Sequence, residues 1–333
     1  MTFGSAPPFS LGVEEELFLV DRDTLDVAPI FDQLVPEPDP RLKPELFVCL
    51  VETTTPVCRG AMEILEELVS LRAEVDRRAS RLGAGILAAG THPRARGADQ
   101  PILALPRYER MLDELGDGVC TQLVCGLHVH VAVADGDSAL RAFEGVVPWL
   151  PVLLALSANS PFAEGEETGL RSTRAERLLF MPTGGPPPLL PDWTAWEEAT
   201  QGDEARRHWD AWPRPEHGTL EVRVMDQQTD VRRSAGLAAI VQALVATVAD
   251  RYSEPYERTL YRRRRDDAAR RPLDPREVTA LGELIEPAAR ALGCWELAAN
   301  VLAAPPEAER QLELGPVAAL SDAVARSIDF GGL

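Results

Sequence analysis

Basic side chains are scarce in this sequence, which has 34 lysine and arginine residues against 53 aspartate and glutamate residues and a net charge of −19. This balance argues against a surface for nucleic acid or anionic membrane, because both attract positive charge. Cysteine is also rare. The chain has five cysteines and no C-x-x-C motif, so neither a disulfide framework nor a structural zinc site is indicated. A reducing, cytoplasmic environment is therefore expected.

Two further absences narrow the class of protein. No run approaches about 18 apolar residues, and the N-terminal segment MTFGSAPPFS lacks the basic start and apolar core of a signal peptide, so we expect a soluble protein without a membrane partner. Motifs of the type G-x-x-x-x-G-K-[ST] and G-x-G-x-x-G are missing as well, which argues against a P-loop or Rossmann enzyme. The chain has 333 residues, 45% of them hydrophobic, and we predict a single domain over residues 1–333 that is helical from about residue 234.

Hydrophobic periodicity predicts an α+β fold. Alternation and apolar faces predict strands over 10–21, 86–89, 121–133 and 219–227, and helices over 61–82, 234–250, 276–292 and in the tail from 315. Ser138 is placed to cap another helix, which prolines then interrupt. The proline-rich segment 182–192 predicts a loop.

Three of the predicted strands carry a pair of polar residues on one face. In CGLHVHVAV, His128 and His130 point the same way, because side chains alternate along a strand. The segments GVEEELFLV and TLEVRVMD show the same i, i+2 pattern, and Glu15 takes the opposite face. If the strands are neighbours in one antiparallel sheet with helices on its far side, one wall is lined by Glu14, Glu16, His128, His130, Glu221 and Arg223. For each strand alone, an ordinary amphipathic strand with a solvated face remains the alternative.

Carboxylates crowded on one wall repel one another unless cations neutralise them. The segment KPELFVCLVETTTPVC adds Glu45 and Glu52, whose odd spacing would put them on opposite faces of a regular strand. Either a bulge intervenes, or Glu45 lies on the approach to the strand. Carboxylates with one or two imidazoles suit Mg2+ or Mn2+ better than zinc. Such ions beside an arginine predict a site for a polyphosphate.

The motifs GVEEELFLVD, VETTTPVC, GTHP, CGLHVHV, LSANSPF, STR, TGGPPP and RPEHGTLEVRVMDQQ resemble, in this order, the signatures of glutamate–cysteine ligase family 2, the YbdK-like carboxylate–amine ligases. The resemblance runs from about residue 10 to residue 250. It implies a fold similar to the catalytic domain of glutamine synthetase, in which an antiparallel sheet with a polar concave face and helices on the other face holds ATP and metal ions.

The resemblance also implies roles for single residues. It implies metal ligands at Glu14, Glu16, Glu45, Glu52, His128 and Glu221, with Glu45 the weakest match. It implies that His130 contacts a phosphate. It also implies that Arg223 is the catalytic residue, which contacts ATP and whose positive charge stabilises the transferring phosphoryl group. Arg174 in STR, and Arg107 with Tyr108, look like family positions near the bound substrates, with Arg174 assigned to ATP. Surface ion pairs are the alternative for these arginines.

One segment departs from the family pattern. Where family members usually carry a stretch resembling NRWRAARYG, this chain reads YRRRRDDAARRP over 261–272. One interpretation is that its arginines form a solvated helix face. The other is that they keep the family's contacts to phosphate or carboxylate groups, while the residues that surround the substrate differ from those of the family.

The expected function is an ATP-dependent ligase that joins a carboxylate to an amine through an acyl phosphate, releasing ADP and phosphate. The family implies the γ-carboxylate of glutamate and an amine such as cysteine as small-molecule substrates, with ATP and Mg2+ or Mn2+ as cofactors. Two alternatives stay open: a metal-dependent hydrolase built on the H-x-H strand, and a non-catalytic homologue that binds nucleotide. The oligomeric state is also open, a homo-oligomer included.

Overall fold

A computed structural model describes residues 2–201, 208–251 and 256–331. The strands are β1 Leu11–Asp21, β2 Leu42–Pro44, β3 Leu50–Thr54, β4 Ala84–Leu87, β5 Gly126–Ala132, β6 Phe162–Ala163, β7 Glu166–Glu167, β8 Ala211–Arg214 and β9 Thr219–Asp226. The α-helices are α1 Phe31–Leu34, α2 Ala61–Ser80, α3 Pro106–Leu115, α4 Gly136–Val146, α5 Leu150–Ser157, α6 Thr173–Arg177, α7 Trp193–Ala199, α8 Val231–Val248, α9 Arg258–Arg270, α10 Pro275–Ala291, α11 Trp295–Ala303 and α12 Glu307–Ser327.

One sheet organises the molecule. Its strands lie in the order β2-β3-β1-β5-β9-β8, β4 pairs with β1, and every pairing is antiparallel. The three strands that carry polar pairs, β1, β5 and β9, are neighbours at its centre. The α+β prediction of an antiparallel sheet with helices on one side is confirmed.

The apolar face of the sheet packs against helices. Val13, Val129 and Val222 alternate with the polar residues of their strands and are fully buried in the main core cluster. Helices α2 and α8 contact this face, and α10 and α11 pack in turn on α8. Most side chains of α8 are small and apolar, chiefly alanine and valine, so the helix can lie close against the strands. The polar residues of these strands lie on the opposite face of the sheet.

Several predicted boundaries were wrong. The strand expected over 121–133 begins at Gly126, because a 3-10 helix occupies Gly116–Gln122. The helix after it is capped by Asp135, whose side chain accepts a hydrogen bond from the backbone N–H of Ser138, so Ser138 is not the cap. The helix predicted from 315 is present, but a further helical stretch precedes it from Glu307, and the two are separated at Gly315, whose φ of 75° is not helical. The proline-rich loop over 182–192 has no helix or strand, as predicted.

Glu15 lies on the helix side of the sheet, as the alternation predicts. Its carboxylate forms a two-pronged ion pair with Arg72 of α2, at 2.6 and 2.8 Å, and both side chains are 0% exposed. Gln227 and Ser234 also donate hydrogen bonds to it. Glu15 therefore links the sheet to helices α2 and α8 and does not contribute to the polar face.

Two helical stretches of the described chain, Gly136–Ser157 and Val231–Val248, are long and apolar enough to cross a membrane, but 78% and 89% of them is buried inside the fold. Their burial marks them as core helices, so they do not indicate a membrane span. The single-domain organisation stays a prediction.

Candidate active site

The strand register brings the predicted polar residues onto one face. Glu14 lies opposite His128 across β1 and β5, Glu16 lies opposite Glu52 across β1 and β3, and His130 lies opposite Glu221 across β5 and β9. Residues directly opposite each other share a face of an antiparallel sheet. The polar wall therefore spans four adjacent strands.

A register shift in the β5–β9 pairing lies beside the site. Leu127 pairs with Met225 and Val129 pairs with Val222, so β9 carries one residue more than β5 around His128. Such bulges re-aim side chains next to active sites. Here the extra residue lies next to Arg223, whose guanidinium contacts Glu221 on the same strand.

Within the described residues, three overlapping sets offer ligand atoms that lie within 4.8 Å of one another. The sets are Glu14–Glu52–His128, Glu14–His130–Glu221 and Glu16–Glu45–Glu52. They contain all six predicted metal ligands and also His130, which was predicted as a phosphate contact. Their donor atoms, mostly carboxylate oxygens with at most one imidazole in each set, are those that Mg2+ and Mn2+ prefer.

The distances leave room for cations between the side chains. His128 Nδ1 lies 3.4 Å from Glu14 Oε2, and His128 Nε2 lies 3.7 Å from Glu16 Oε1. His130 Nε2 is 3.9 Å from Glu14 Oε2. Among the described residues, no hydrogen-bond partner reaches the buried Nε2 of His128. An unpartnered imidazole nitrogen that is 1% exposed and faces a carboxylate fits a metal ligand.

The carboxylates influence one another strongly. Burial disfavours charge on Glu14, but hydrogen bonds from His128 and His130, together with their charge, hold its pKa well below the usual value. Burial, and after it the charge of Glu14, raises the pKa of Glu52. Burial and the charges of Glu16 and Glu52 raise the pKa of Glu45 well above the usual value. This wall is therefore electrostatically costly without cations.

Glu45 lies outside the regular strands, between the end of β2 and the start of β3. Of the two alternatives for its odd spacing from Glu52, the approach to the strand is correct. Its carboxylate nevertheless reaches the set with Glu16 and Glu52. The connection between β2 and β3 places Glu45 at this position, without a bulge in either strand.

Two arginines hold Glu221. Arg223 Nη1 donates to Glu221 Oε1 at 2.5 Å, and Arg214 Nη1 of β8 donates to Glu221 Oε2 at 2.7 Å. Burial disfavours the charge on Glu221, yet the charges of Arg223, His130 and Arg214 lower its pKa. Sequence reasoning missed Arg214. A hairpin register around the turn RPEHG would have found it, since Arg214 pairs with Thr219 and shares the face of Glu221.

Arg174 reaches the site from α6. Its side chain is buried, and its guanidinium donates to the backbone carbonyls of Arg223 and Val224. Gly126, the glycine in CGLHVHV, allows this approach, because a Cβ at that position would collide with the guanidinium. The surface alternative for Arg174 is therefore wrong.

Asp226 at the end of β9 ties the neighbouring motifs to the sheet. Its buried carboxylate accepts hydrogen bonds from the hydroxyl of Ser160, in LSANSPF, and from the hydroxyl of Ser172, which caps α6. The position of Arg174 is thus set by the end of the strand that carries Glu221.

Among the described residues, a cavity of about 590 Å³ adjoins the wall at its edge strand, beside Lys43, Glu45 and Glu52. Two others reach the central strands of the wall. The larger of these two, about 450 Å³, has Glu16, Glu45, Glu52, Arg107, Tyr108, Arg174, Asp210, Arg214 and Arg223 among its lining residues. The smaller, about 240 Å³, is lined by apolar residues including Leu11, Val13 and Val57, and by Glu14, Lys43, His130 and His217. Arg107 contacts Tyr108 and the carbonyl of Pro44 at the rim of the larger cavity.

The segment that departs from the family pattern forms part of α9 and contacts the larger cavity indirectly. Tyr261 donates to Asp210 Oδ2 at 2.6 Å, and Arg265 donates to both carboxylate oxygens of Asp210. Arg262 and Arg263 are exposed, whereas Arg265 is buried. The solvated helix face is therefore correct for Arg262 and Arg263, whereas contacts of this run to phosphate or carboxylate groups of a substrate stay a prediction.

Lys43 was also missed. It lies opposite Glu52 on the edge strand β2, and its Nζ is 3.2 Å from Glu14 Oε1 and 3.0 Å from Glu52 Oε1. A lone lysine on a strand of three residues gives no periodic pattern, so the sequence carried no signal for it.

The chain is similar to known proteins in sequence and in fold. The chain is 37% identical over 320 residues, 88% of its length and 87% of the relative's, to a Rubrobacter xylanophilus protein named provisionally as glutamate–cysteine ligase 2-3. It is 34% identical to the glutamate–cysteine ligase of Natronomonas pharaonis, over 88% of this chain and 89% of that protein. The structure of the Francisella tularensis glutamate–cysteine ligase, a complex with AMP, matches 96% of this chain and 88% of that chain with a TM-score of 0.71 at 14% identity.

The antiparallel sheet with helices on one face is a glutamine synthetase-like fold, which the chain shares with this solved structure. The chain belongs to glutamate–cysteine ligase family 2, whose family model matches residues 10–316. It is therefore an enzyme of the glutamate–cysteine ligase type, and the hydrolase alternative is not favoured.

Proposed function

We propose that the protein uses ATP to activate the γ-carboxylate of glutamate as an acyl phosphate and transfers it to an amine such as cysteine, releasing ADP and phosphate. The observation that carries this proposal is the convergence of three carboxylate and imidazole sets on one sheet face beside Arg223. Phosphoryl transfer needs positioning and neutralisation of charge more than a nucleophile from the protein, and this wall supplies both.

The metal ligands in this proposal are Glu14, Glu16, Glu45, Glu52, His128 and Glu221. The unpartnered His128 Nε2 and the crowded carboxylates support Mg2+ or Mn2+ as the occupant. Bound there, such ions would neutralise the charge that develops on the transferring phosphoryl group.

The residues of the chain would divide the remaining work. Arg223, held by Glu221 at 2.5 Å, presents a fixed positive charge to the transferring phosphoryl group, and His130 binds a phosphate oxygen. Because ion pairing fixes the Arg223 guanidinium before substrate arrives, little reorganisation is needed during the reaction. Arg174, packed on Gly126 between β9 and the larger cavity, contributes positive charge to ATP.

The two cavities fit two different substrates. Besides the two arginines assigned to ATP and its phosphoryl group, the larger contains Arg107 and Arg214 and suits an amino acid with two carboxylates. The smaller has an apolar lining beside Glu14 and His130 and suits the base of a nucleotide. Glutamate and ATP would then meet at the polar wall.

The identity of the nucleotide product tests the mechanism. With ATP, Mg2+, glutamate and cysteine, we expect ADP and phosphate in equal amounts, and we expect turnover to stop when Mg2+ is chelated. Chromatography of the nucleotides measures this directly. Formation of AMP with pyrophosphate would contradict the acyl phosphate.

Hydroxylamine separates activation of the carboxylate from choice of the amine. It is small and strongly nucleophilic, so it should capture the acyl phosphate and yield γ-glutamyl hydroxamate even where cysteine reacts poorly. A panel of carboxylic acids identifies the activated substrate. No hydroxamate from any acid, with ATP and metal shown to bind, would favour a non-catalytic homologue.

The contact between Tyr261 and Asp210 should influence the acceptor, because Asp210 lines the larger cavity, in which the amine would have to approach the activated glutamate. Burial raises the pKa of Tyr261 well above its usual value, so its hydroxyl remains a donor to Asp210. Tyr261→Phe removes that donor, and we expect the KM for the amine to rise about three- to tenfold, the effect of losing about 1 kcal/mol of hydrogen bonding. Steady-state kinetics with amine varied measure this change.

The rate of hydroxamate formation from glutamate should stay the same in Tyr261→Phe. The matched control is Tyr256→Phe, since Tyr256 donates to the carbonyl of Pro187 and does not touch Asp210. Equal effects of the two substitutions would contradict a role of Tyr261 in the acceptor site.

A further inference from the structure

Lys43 is the only lysine in the chain; the other basic residues among the 34 are arginines. It lies on the polar wall, where its ammonium contacts Glu14 and Glu52 at 3.2 and 3.0 Å. The ammonium group of a lysine is a compact charge whose hydrogen-bond donors can rotate. The guanidinium group of an arginine is larger and planar, and its donors point in fixed directions. A compact cation is what a position between two carboxylate oxygens can accommodate.

The two contacts fall on one particular set of ligand atoms. Glu14 also belongs to the set with His130 and Glu221, and Glu52 also belongs to the set with Glu16 and Glu45. The set Glu14–Glu52–His128 is therefore the middle one, and its two carboxylates are the ones that Lys43 binds.

The two oxygens of Glu14 point to different partners. Oε1 accepts from Lys43, while Oε2 lies 3.4 Å from His128 and 3.9 Å from His130. Glu14 can thus bind the ammonium through one oxygen and keep the other for a flanking cation. The ammonium does not prevent ions from binding at the outer sets.

We propose that Lys43 supplies the middle cation of the site, so that the chain holds one divalent ion between Glu14 and Glu221 and another among Glu16, Glu45 and Glu52, with its own ammonium between them. His128 stays a ligand in this arrangement, because its Nε2 faces Glu16 Oε1 at 3.7 Å, on the side of the outer ion. The inference rests on the proposed metal site. It assigns to the chain a positive charge that the reaction would otherwise take from a third ion, and that charge is present before any metal arrives.

Counting bound Mn2+ in Lys43→Met tests the inference, because methionine is also unbranched, is only one atom shorter than lysine and carries no charge. In nucleotide-free protein, electron paramagnetic resonance of free Mn2+ should give two bound ions for the wild type and one more for Lys43→Met, at the vacated middle set. Arg41→Met is the matched control, since Arg41 is two positions away, is half-exposed and pairs with Asp39. It should bind as many ions as the wild type.

Stability gives a second readout. With chelator present, Lys43→Met should melt at a lower temperature than the wild type, because Glu14 and Glu52 lose their counter-ion, and saturating Mn2+ should reduce that difference. Equal melting temperatures with chelator, or a deficit that Mn2+ leaves unchanged, would overturn the inference.

Equal ion counts and affinities in wild type and Lys43→Met would also overturn it, while leaving the ligase mechanism intact. A wild type that binds no Mn2+ would remove the metal site and this inference together. An unchanged count combined with a raised KM for ATP would make Lys43 a phosphate contact and would reject the role proposed here.

Discussion

Glu16→Gln is expected to reduce the rate of ligation by about a hundredfold to a thousandfold, the effect of removing several kcal/mol of charge stabilisation at a metal ion. Glu16 belongs to the set with Glu45 and Glu52, and Gln offers one oxygen without negative charge. The fold should survive, because a glutamine oxygen can still accept the hydrogen bond that Glu16 receives from the backbone N–H of Gly126. Steady-state formation of ADP and γ-glutamyl product measures the loss.

Two further measurements separate this effect from misfolding. The melting temperature of Glu16→Gln in the presence of chelator should match or exceed that of the wild type, since one repelling charge is gone. The number of bound Mn2+ ions, or their affinity, should fall. A variant that binds Mn2+ normally and turns over normally would contradict the assignment of Glu16 as a ligand.

Glu15→Gln, at the neighbouring position, should produce the opposite pattern. Glu15 and Arg72 form an ion pair in which both side chains are 0% exposed, and removing one partner leaves a buried charge without compensation. We expect a loss of about 3–5 kcal/mol in the free energy of unfolding. Chemical denaturation followed by circular dichroism checks this value.

The site should remain intact in Glu15→Gln. Its carboxylate faces α2 and α8 and contributes to none of the sets on the polar wall. In the folded protein at low temperature, Mn2+ binding and turnover should therefore resemble those of the wild type. Loss of metal binding without loss of stability would show that the faces of β1 are assigned the wrong way round.

The contrast between Glu15 and Glu16 shows that the alternation of side chains along a strand predicts well which face of the sheet a residue occupies. A strand has a side-chain period of two, so assigning Leu11–Asp21 to a strand also assigns Glu14 and Glu16 to one face and Glu15 to the other. The same rule places His128 with His130. The roles of these residues as ligands remain predictions, because they came from the resemblance to the family and from the chemistry of carboxylates.

Contacts between distant parts of the chain could not be predicted in this way. The wrong start of β5 arose because the pattern joins Thr121 and Gln122 to the apolar run that follows them, while they lie in a 3-10 helix. Lys43 meets Glu14 only because β3 lies between β2 and β1, which is a property of the strand order. Asp210 is linked to Arg265 across 55 positions of the sequence. Periodicity carries no information about such pairings.

The buried guanidinium of Arg72 also constrains the order in which the chain can fold. Besides Glu15, it binds the carbonyl oxygens of Gln228, Thr229 and Ser327, the last of these 255 positions away. Closing contacts of such separation is entropically costly, so this cluster can be complete only after α12 has docked on the sheet. Interactions that form after the rate-limiting step slow unfolding and leave the folding rate almost unchanged. We therefore expect the contacts of Arg72 to lower the unfolding rate more than they raise the folding rate.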